Sequence, residues 1–180
     1  LAVVLSGRRK ALNWCDSKEN VDFYDMKGIV EGLLEAMQVP EYSLVRSSAP
    51  YLHPGKSCDI VMDGKVIGSF GEVHPVAQEN FELDQTTYVL EMEVEPLVAS
   101  ATAVPKYQHL PKYPAMSRDI AVVVPSEVTN EEIEGVIRAH AGELLRNVRV
   151  FDIYTGKQVA AGCKSMAFNL TYQAADRTLT

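Results

Sequence analysis

The stretch Ser117-Arg118-Asp119-Ile120-Ala121-Val122-Val123-Val124 decides the fold of the second half of the chain, together with two segments that follow it. These segments are Phe151-Asp152-Ile153-Tyr154-Thr155-Gly156 and Lys164-Ser165-Met166-Ala167-Phe168-Asn169-Leu170. In each, the side-chain character alternates with the period of two that is typical of a β-strand. One face of the three strands is polar, small and aromatic, where a protein core would be apolar. We therefore predict a sheet with one covered and one open face.

The order of elements around these strands predicts a ferredoxin-like module. Strands are predicted at residues 119–124, 148–154 and 164–172, and a helix at 130–140. Thr129 or Asn130 caps the helix, and glutamates fill its first turn. A complete module of this type has the order β-α-β-β-α-β. Because the sequence ends after the third strand, the prediction is a truncated β-α-β-β module without its last helix and strand.

The covered face of this sheet is predicted from strict alternation along each strand. A helix must pack on one face to bury a core. The apolar side chains of the third strand, joined by one aromatic residue of the second, are expected to form that face. These residues are Phe151, Met166, Phe168 and Leu170.

The opposite face is predicted to be open, with small and polar side chains. Its expected members are Ala121, Asp152, Tyr154, Ser165, Ala167 and Asn169, and alternation adds Val148 and Val150. Small residues leave room for a flat base, and Tyr154 offers a stacking surface. Asp152 can accept hydrogen bonds from the donor edge of a guanine, and Ser165 can donate or accept one. Single-stranded RNA is bound in this way, although a solvated sheet face is polar in any case.

The first half of the chain predicts a helix beside a mostly antiparallel sheet. Residues 1–5 are expected to form a buried strand, and residues 22–37 a helix with Asp22 as N-cap, ended by Pro40. Gly28 and Gly32 lie four residues apart in this helix and predict close packing against a neighbour.

Further strands complete this first sheet. Asp63-Gly64 separates strands at 58–62 and 65–70, which is a strong hairpin signal. A short helix at 76–81 and a strand at 87–94 follow. The whole chain is thus predicted to be α+β.

Four prolines between residues 96 and 116 predict an extended connection. We place the domains at 1–104 and 118–180, with a proline-rich linker at 105–117. The pairs Lys106-Tyr107 and Lys112-Tyr113 could stack on RNA or could fix the linker to the domains.

Composition and charge exclude several classes of protein. The chain has 180 residues and a net charge of −7, but residues 1–104 have 8 basic and 16 acidic residues against 9 and 8 in residues 105–180. The acidic first part will not attract a phosphate backbone by general electrostatics.

No apolar run approaches the roughly 20 residues of a membrane span. The three cysteines and four histidines are scattered, so neither a metal site nor a disulfide framework is predicted, and a cytoplasmic location is the simplest expectation.

Several motifs, taken in order, resemble those of the bacterial phenylalanyl-tRNA synthetase beta subunit. In the second half they are Ser-Arg-Asp-Ile-Ala at 117–121, Phe-Asp-Ile-Tyr-x-Gly at 151–156, Lys-Ser-Met-Ala-Phe at 164–168 and Asp-Arg-Thr-Leu-Thr at 176–180. In the first half they are Val-Asp-Phe-Tyr-Asp-Met-Lys-Gly at 21–28, Leu-His-Pro-Gly at 52–55 and Gly-Glu-Val-His-Pro at 71–75. Each motif is weak alone, but the set covers essentially the whole chain.

The resemblance implies a class II synthetase-like domain without an active site, followed by a ferredoxin-fold anticodon-binding domain, at the C-terminal end of the beta subunit. It implies that Ala121, Asp152, Tyr154 and Ser165 line the site for the first anticodon base of tRNA(Phe). It also implies an alpha subunit as partner in an alpha2-beta2 tetramer, with no DNA or membrane partner. ATP and Mg²⁺ would serve the whole enzyme from outside this segment, which would contain no catalytic or metal-binding residue.

The sequence agrees with the absence of an adenylation site, since no arginine occurs between Arg46 and Arg118. Class II adenylation depends on arginines that hold ATP phosphate groups in a bidentate way. Two other functions stay open. A β-α-β-β module could be a regulatory domain that binds a small molecule, or the chain could be a purely structural segment that contacts another subunit.

Overall fold

A computed structural model of the chain describes residues 1–15, 18–39, 41–101, 107, 110–156 and 158–179. The chain forms two compact units, Leu1–Lys106 and Tyr107–Thr180. Both units combine helices with antiparallel sheets, so the predicted α+β class is confirmed. Pro40, Lys106 and the C-terminal Thr180 of the last motif lie outside the described residues.

The first unit is a five-stranded sheet with one long helix. Its elements are β1 (Ala2–Ser6), α1 (Phe23–Ala36), β2 (Ser43–Arg46), β3 (Leu52–Met62), β4 (Lys65–Val73), α2 (Pro75–Asn80), β5 (Thr87–Met92) and α3 (Val94–Ser100). The strand order is β1-β5-β4-β3-β2, and every neighbouring pair is antiparallel. Helix α1 buries Met26, Val30 and Leu34 against this sheet.

Helix α1 begins where the sequence predicts. Asp22 accepts hydrogen bonds from the backbone of Tyr24 and Asp25, and the Asp25 carboxylate accepts one from the Asp22 N–H, which forms a capping box. The prediction for Gly28 and Gly32 is wrong. Both are exposed, and a Cβ added at either would meet no heavy atom of the described structure within 4 Å.

The predicted hairpin is confirmed between β3 and β4. Asp63 and Gly64 have φ values of 48° and 73°, and positive φ at both turn positions is the requirement of a type I′ turn.

Two other expectations for this unit are wrong. Strand β1 is an edge strand that is only half-covered: Val3 and Leu5 pack against the core, whereas Val4 between them is 65% exposed. Residues 96–100 belong to helix α3, not to an extended linker.

The second unit is a three-stranded antiparallel sheet with one helix. Its elements are β6 (Met116–Pro125), α4 (Asn130–His140), β7 (Leu145–Tyr154) and β8 (Cys163–Tyr172). The strand order is β6-β8-β7, which is the predicted β-α-β-β arrangement with the last strand in the middle. The buried cluster consists of Ile133, Val148, Met166, Phe168 and Leu170.

A bulge in β7 overturns part of the predicted face assignment. The pairing with β8 jumps from Val150 opposite Phe168 to Asp152 opposite Ala167, which leaves Phe151 as an extra residue. Strict alternation failed at this point. Val148 is buried and Val150 packs against the covered core, whereas Phe151 is 55% exposed. The placement of Phe151 in the core, and of Val148 and Val150 on the open face, is therefore wrong.

Helix α4 begins with a second capping box. Thr129 Oγ1 accepts a hydrogen bond from the Glu132 N–H at 3.2 Å, and Glu132 Oε2 accepts one from the Thr129 N–H at 2.7 Å. Hydrogen bonds from the Thr129 backbone and side chain lower the pKa of Glu132. This contribution to stability is therefore present at neutral pH and is lost as the pH falls through that lowered pKa.

Thr129→Ala is expected to destabilise the second unit by about 1 kcal/mol, the usual cost of losing an N-cap side chain. Thr129→Ser retains the hydroxyl and should cost much less. Denaturant unfolding of both variants checks the prediction, and equal losses for alanine and serine would show that the cap does not matter.

Candidate nucleic-acid interface

The open face of the second sheet, meaning the face of β6, β7 and β8 away from helix α4, consists of cross-strand rows of side chains. Residues directly opposite each other in antiparallel strands project from the same face. Ala121, Ala167 and Asp152 form one such row, and Val123, Ser165 and Tyr154 form the next. The structure therefore brings the four predicted residues, Ala121, Asp152, Tyr154 and Ser165, together on one face in two adjacent rows.

The two alanines give this surface a flat floor. Neighbouring strands lie about 4.8 Å apart, so Ala121 and Ala167 place two small side chains next to each other on this face. The Asp152 side chain is exposed at its edge, and the Ser165 hydroxyl is half-buried in the next row. A planar ring placed on the two alanines would have the Asp152 carboxylate beside it in the same row and the Ser165 hydroxyl in the next row.

Tyr154 is held at this surface by a glycine that sequence reasoning did not single out as functional. The phenol end of Tyr154 lies where a Cβ on Gly156 would be, so the ring folds back over the glycine. The Tyr154 side chain stays 42% exposed. The spacing Tyr-x-Gly thus has a physical cause, because any side chain at position 156 would displace the ring. The Phe-Asp-Ile-Tyr-x-Gly motif at 151–156 was the feature of the sequence that could have identified Gly156.

A third row extends the open face beyond the predicted residues. It contains Asp119, Asn169 and Arg149, and Asn169 Nδ2 donates a 2.6 Å hydrogen bond to Asp119 Oδ1. Strict alternation from Phe151, which was predicted to lie on the covered face, would put Arg149 on that face as well. The bulge instead leaves a cation beside Asp152 on the open face, which the sequence alone could not indicate.

The sheet of the first unit offers a different surface on the face away from helix α1. Asp59, Ser69 and Glu91 form one row there, and Ser69 Oγ donates a 2.7 Å hydrogen bond to Asp59 Oδ1. A cavity of about 460 Å³ adjoins this row and is lined in part by Ser69, Glu91 and Glu93. These acidic groups would repel the phosphate groups of ATP. The residues that line this cavity therefore do not fit a nucleoside triphosphate.

The histidines of the first unit have structural partners. His74 Nδ1 accepts a hydrogen bond from the Val76 N–H and caps helix α2, and His53 Nδ1 accepts one from Gly55. Within the residues that the structure describes, no group of three or more histidine, cysteine or acidic side chains is arranged to hold a metal ion. No helix in that same part of the chain has the length and apolar character needed to cross a membrane.

Comparison with known proteins places both units in one class. Residues 1–94 match the family model described as the phenylalanyl tRNA synthetase beta chain CLM domain. Residues 111–180 match the ferredoxin-fold anticodon binding domain. The fold, the open sheet face and these two matches together define a protein of the aminoacyl-tRNA synthetase class.

The particular family follows from the first match, which covers more than half of the chain. The chain belongs to the phenylalanyl-tRNA synthetase beta chain family. It is similar to the phenylalanine–tRNA ligase beta subunits of Symbiobacterium thermophilum, with 41% identity over 100% of the chain, and of Bacillus subtilis, with 42% identity over 96% of it. It spans about a fifth of these relatives, 20% and 21% of their lengths respectively.

Proposed function

We propose that this chain is the part of a phenylalanine–tRNA ligase that binds the anticodon of tRNA(Phe), and that Ala121, Asp152, Tyr154 and Ser165 form the site for the first anticodon base. The observation that carries the proposal is the pairing register, which puts these four residues in two adjacent rows of one open face. The match of residues 111–180 to an anticodon-binding domain supports the same assignment.

The roles of the four side chains follow from their chemistry. The base lies on the floor made by Ala121, stacks against Tyr154, and presents its edge to Asp152 and Ser165. A carboxylate accepts only, so Asp152 favours a base with adjacent donors, as guanine has. Stacking is tolerant of base identity, whereas edge recognition is not.

The remainder of the chain has a supporting role in this proposal. Residues 1–104 form a class II synthetase-like scaffold that contacts the alpha subunit of an alpha2-beta2 tetramer, residues 105–117 are a linker, and residues 118–180 form the anticodon-binding domain. ATP and Mg²⁺ bind elsewhere in the complete cytoplasmic enzyme. The acidic row of the first sheet supports this division, as does the absence of arginine between Arg46 and Arg118.

Titration of the 180-residue chain with anticodon stem-loop RNAs tests the proposal against its two rivals. We expect tighter binding of the stem-loop with the phenylalanine anticodon than of one altered at the first position. Binding of a free amino acid without any effect of anticodon sequence would favour a regulatory domain. Absence of both, in the chain and in the complete ligase, would favour a purely structural segment.

A further inference from the structure

A basic cleft lies in the second unit at the end of the sheet where β7 begins and β8 ends. Its volume is about 420 Å³, and its walls include Lys112, Arg146, Gln173 and Ala174. Strand β6 also begins at this end of the sheet, opposite Tyr172. The residues that line the cleft therefore lie next to the ends of all three strands. Tyr154 and Ser165 mark the opposite end of the open face.

The Arg146 guanidinium is oriented by the backbone around the cleft. Its Nε donates a 3.1 Å hydrogen bond to the Gln173 carbonyl oxygen, and the Gln173 side chain donates a 2.6 Å hydrogen bond to the Tyr113 carbonyl oxygen. Among the described residues, no hydrogen bond or ion pair involves the two terminal amino groups of Arg146, which leaves them available to a ligand. Arginine oriented in this way suits bidentate recognition of phosphate.

The two basic side chains of the cleft, Lys112 and Arg146, are not neutralised by an ion pair within the described residues. Asp176, which follows the wall of the cleft, is itself paired with Arg177 at 2.8 Å. The cleft therefore attracts anions, although residues 105–180 as a whole are close to neutral.

Arg149 connects this cleft to the proposed base site. It lies in the row with Asn169, between the rows of Asp152 and Asn147 on the same face, and it too has no ion pair with any described residue. From Ser165 to Thr171 on β8 the distance is about 20 Å at the usual rise of a strand. That length corresponds to about six stacked nucleotides at ~3.4 Å each, so it extends beyond a three-base anticodon.

We propose that Arg149, Arg146 and Lys112 form a phosphate-binding track for the RNA strand that flanks the anticodon base. The track runs along the open face from Tyr154 to the basic cleft, and its ligand is the phosphodiester backbone, independent of base sequence. The inference rests on the proposed anticodon-binding function and adds the direction in which the RNA leaves the base site.

The test is tRNA binding to the complete ligase as a function of salt concentration. The double variant Lys112→Gln, Arg146→Gln removes two phosphate contacts. Each lost contact should reduce the slope of log Kd against log salt by about 0.7–0.9 and weaken binding about fourfold near 0.15 M salt. We expect about a 16-fold loss for the double variant, equal for the normal and first-position-altered anticodons.

A matched double variant provides the control. Lys164→Gln, Arg138→Gln also removes one lysine and one arginine of the second unit, but Arg138 lies on helix α4 and Lys164 lies opposite Val124 on the face that this helix covers, and it should leave the salt slope unchanged. Arg146→Lys retains the charge and should retain the slope, although it loses the fixed guanidinium. If Arg146→Lys reduced the salt slope as much as Arg146→Gln does, the role of Arg146 would be structural and the track would be wrong.

The remaining outcomes separate this inference from the proposed function. Equal losses in the test and control variants would indicate general electrostatics and would overturn the track. An unchanged slope in the test variant, with Asp152 and Tyr154 still required for tRNA binding, would overturn the track alone. If Asp152 and Tyr154 were dispensable as well, the anticodon-binding proposal would fail with it.

Discussion

Phe168→Ala is expected to destabilise the second unit by about 3–5 kcal/mol, the cost of removing a phenyl ring from a well-packed core. Phe168 is 0% exposed and packs among Ile133, Val148, Met166 and Leu170. Small domains have only about 5–15 kcal/mol of stability in total. The variant should therefore unfold this unit at a much lower denaturant concentration. The single tryptophan, Trp14, lies in the first unit, so its fluorescence does not report on the second unit. Hydrogen exchange of the β8 amides measures the stability of the second unit directly.

Phe151→Ala is the matched control for this experiment. Phe151 carries the same side chain on the neighbouring strand, but the bulge in β7 leaves it 55% exposed. Exposed substitutions usually change stability by about 0.5 kcal/mol or less. Similar losses for the two variants would mean that β7 has no bulge and that strict alternation was right.

This pair of phenylalanines shows how far the sequence predicts the fold. Helices α1 and α4 were predicted to within a residue or two because their caps are local, as at Asp22 and Thr129. The β3–β4 hairpin was predicted because Asp63-Gly64 determines its turn geometry. The bulge depends on how β7 pairs with β8. The alternation along β7 alone carries no information about that pairing.

Long-range packing also explains the errors in the first unit. An apolar strand such as β1 can be central or at an edge, and only the sheet order decides which. Gly28 and Gly32 reduce helix propensity wherever they occur, so their spacing alone could not distinguish a packed face from the exposed one they occupy.

The candidate site was predictable in its composition but not in its extent. Alternation is undisturbed in β8 and correct beyond the bulge in β7, so Asp152, Tyr154 and Ser165 were placed on one face. Arg149 precedes the bulge and was missed. The basic cleft with Lys112 and Arg146 was missed as well, because it is formed by segments that are distant in sequence.

Tyr154→Ala should weaken tRNA recognition by about 1–3 kcal/mol, the contribution of one base stacked on an aromatic ring. That range corresponds to a loss of about 5- to 150-fold in kcat/KM for aminoacylation by the complete ligase. Because every base has an aromatic face, the loss should be similar for tRNA with the normal anticodon and for one altered at the first position. Tyr154→Phe retains the ring and should retain most of the activity.

A loss in Tyr154→Ala that disappears for the altered tRNA would contradict a pure stacking role. Such a result would show that the phenol hydroxyl reads the base edge, and Tyr154→Phe would then share the defect. Urea unfolding of the variants, measured in the same preparations, excludes general destabilisation as the cause.

The most direct test of the central claim is the ratio of kcat/KM for the normal and first-position-altered tRNAs, measured for the complete ligase with Asp152→Ala. The proposed role of Asp152 is to accept hydrogen bonds from the edge of the first anticodon base. Its loss should therefore reduce the discrimination by about tenfold or more, which corresponds to the ~1.5–3 kcal/mol contributed by a hydrogen bond to a charged group. An unchanged ratio in a folded Asp152→Ala enzyme would contradict the claim that this open face reads the anticodon.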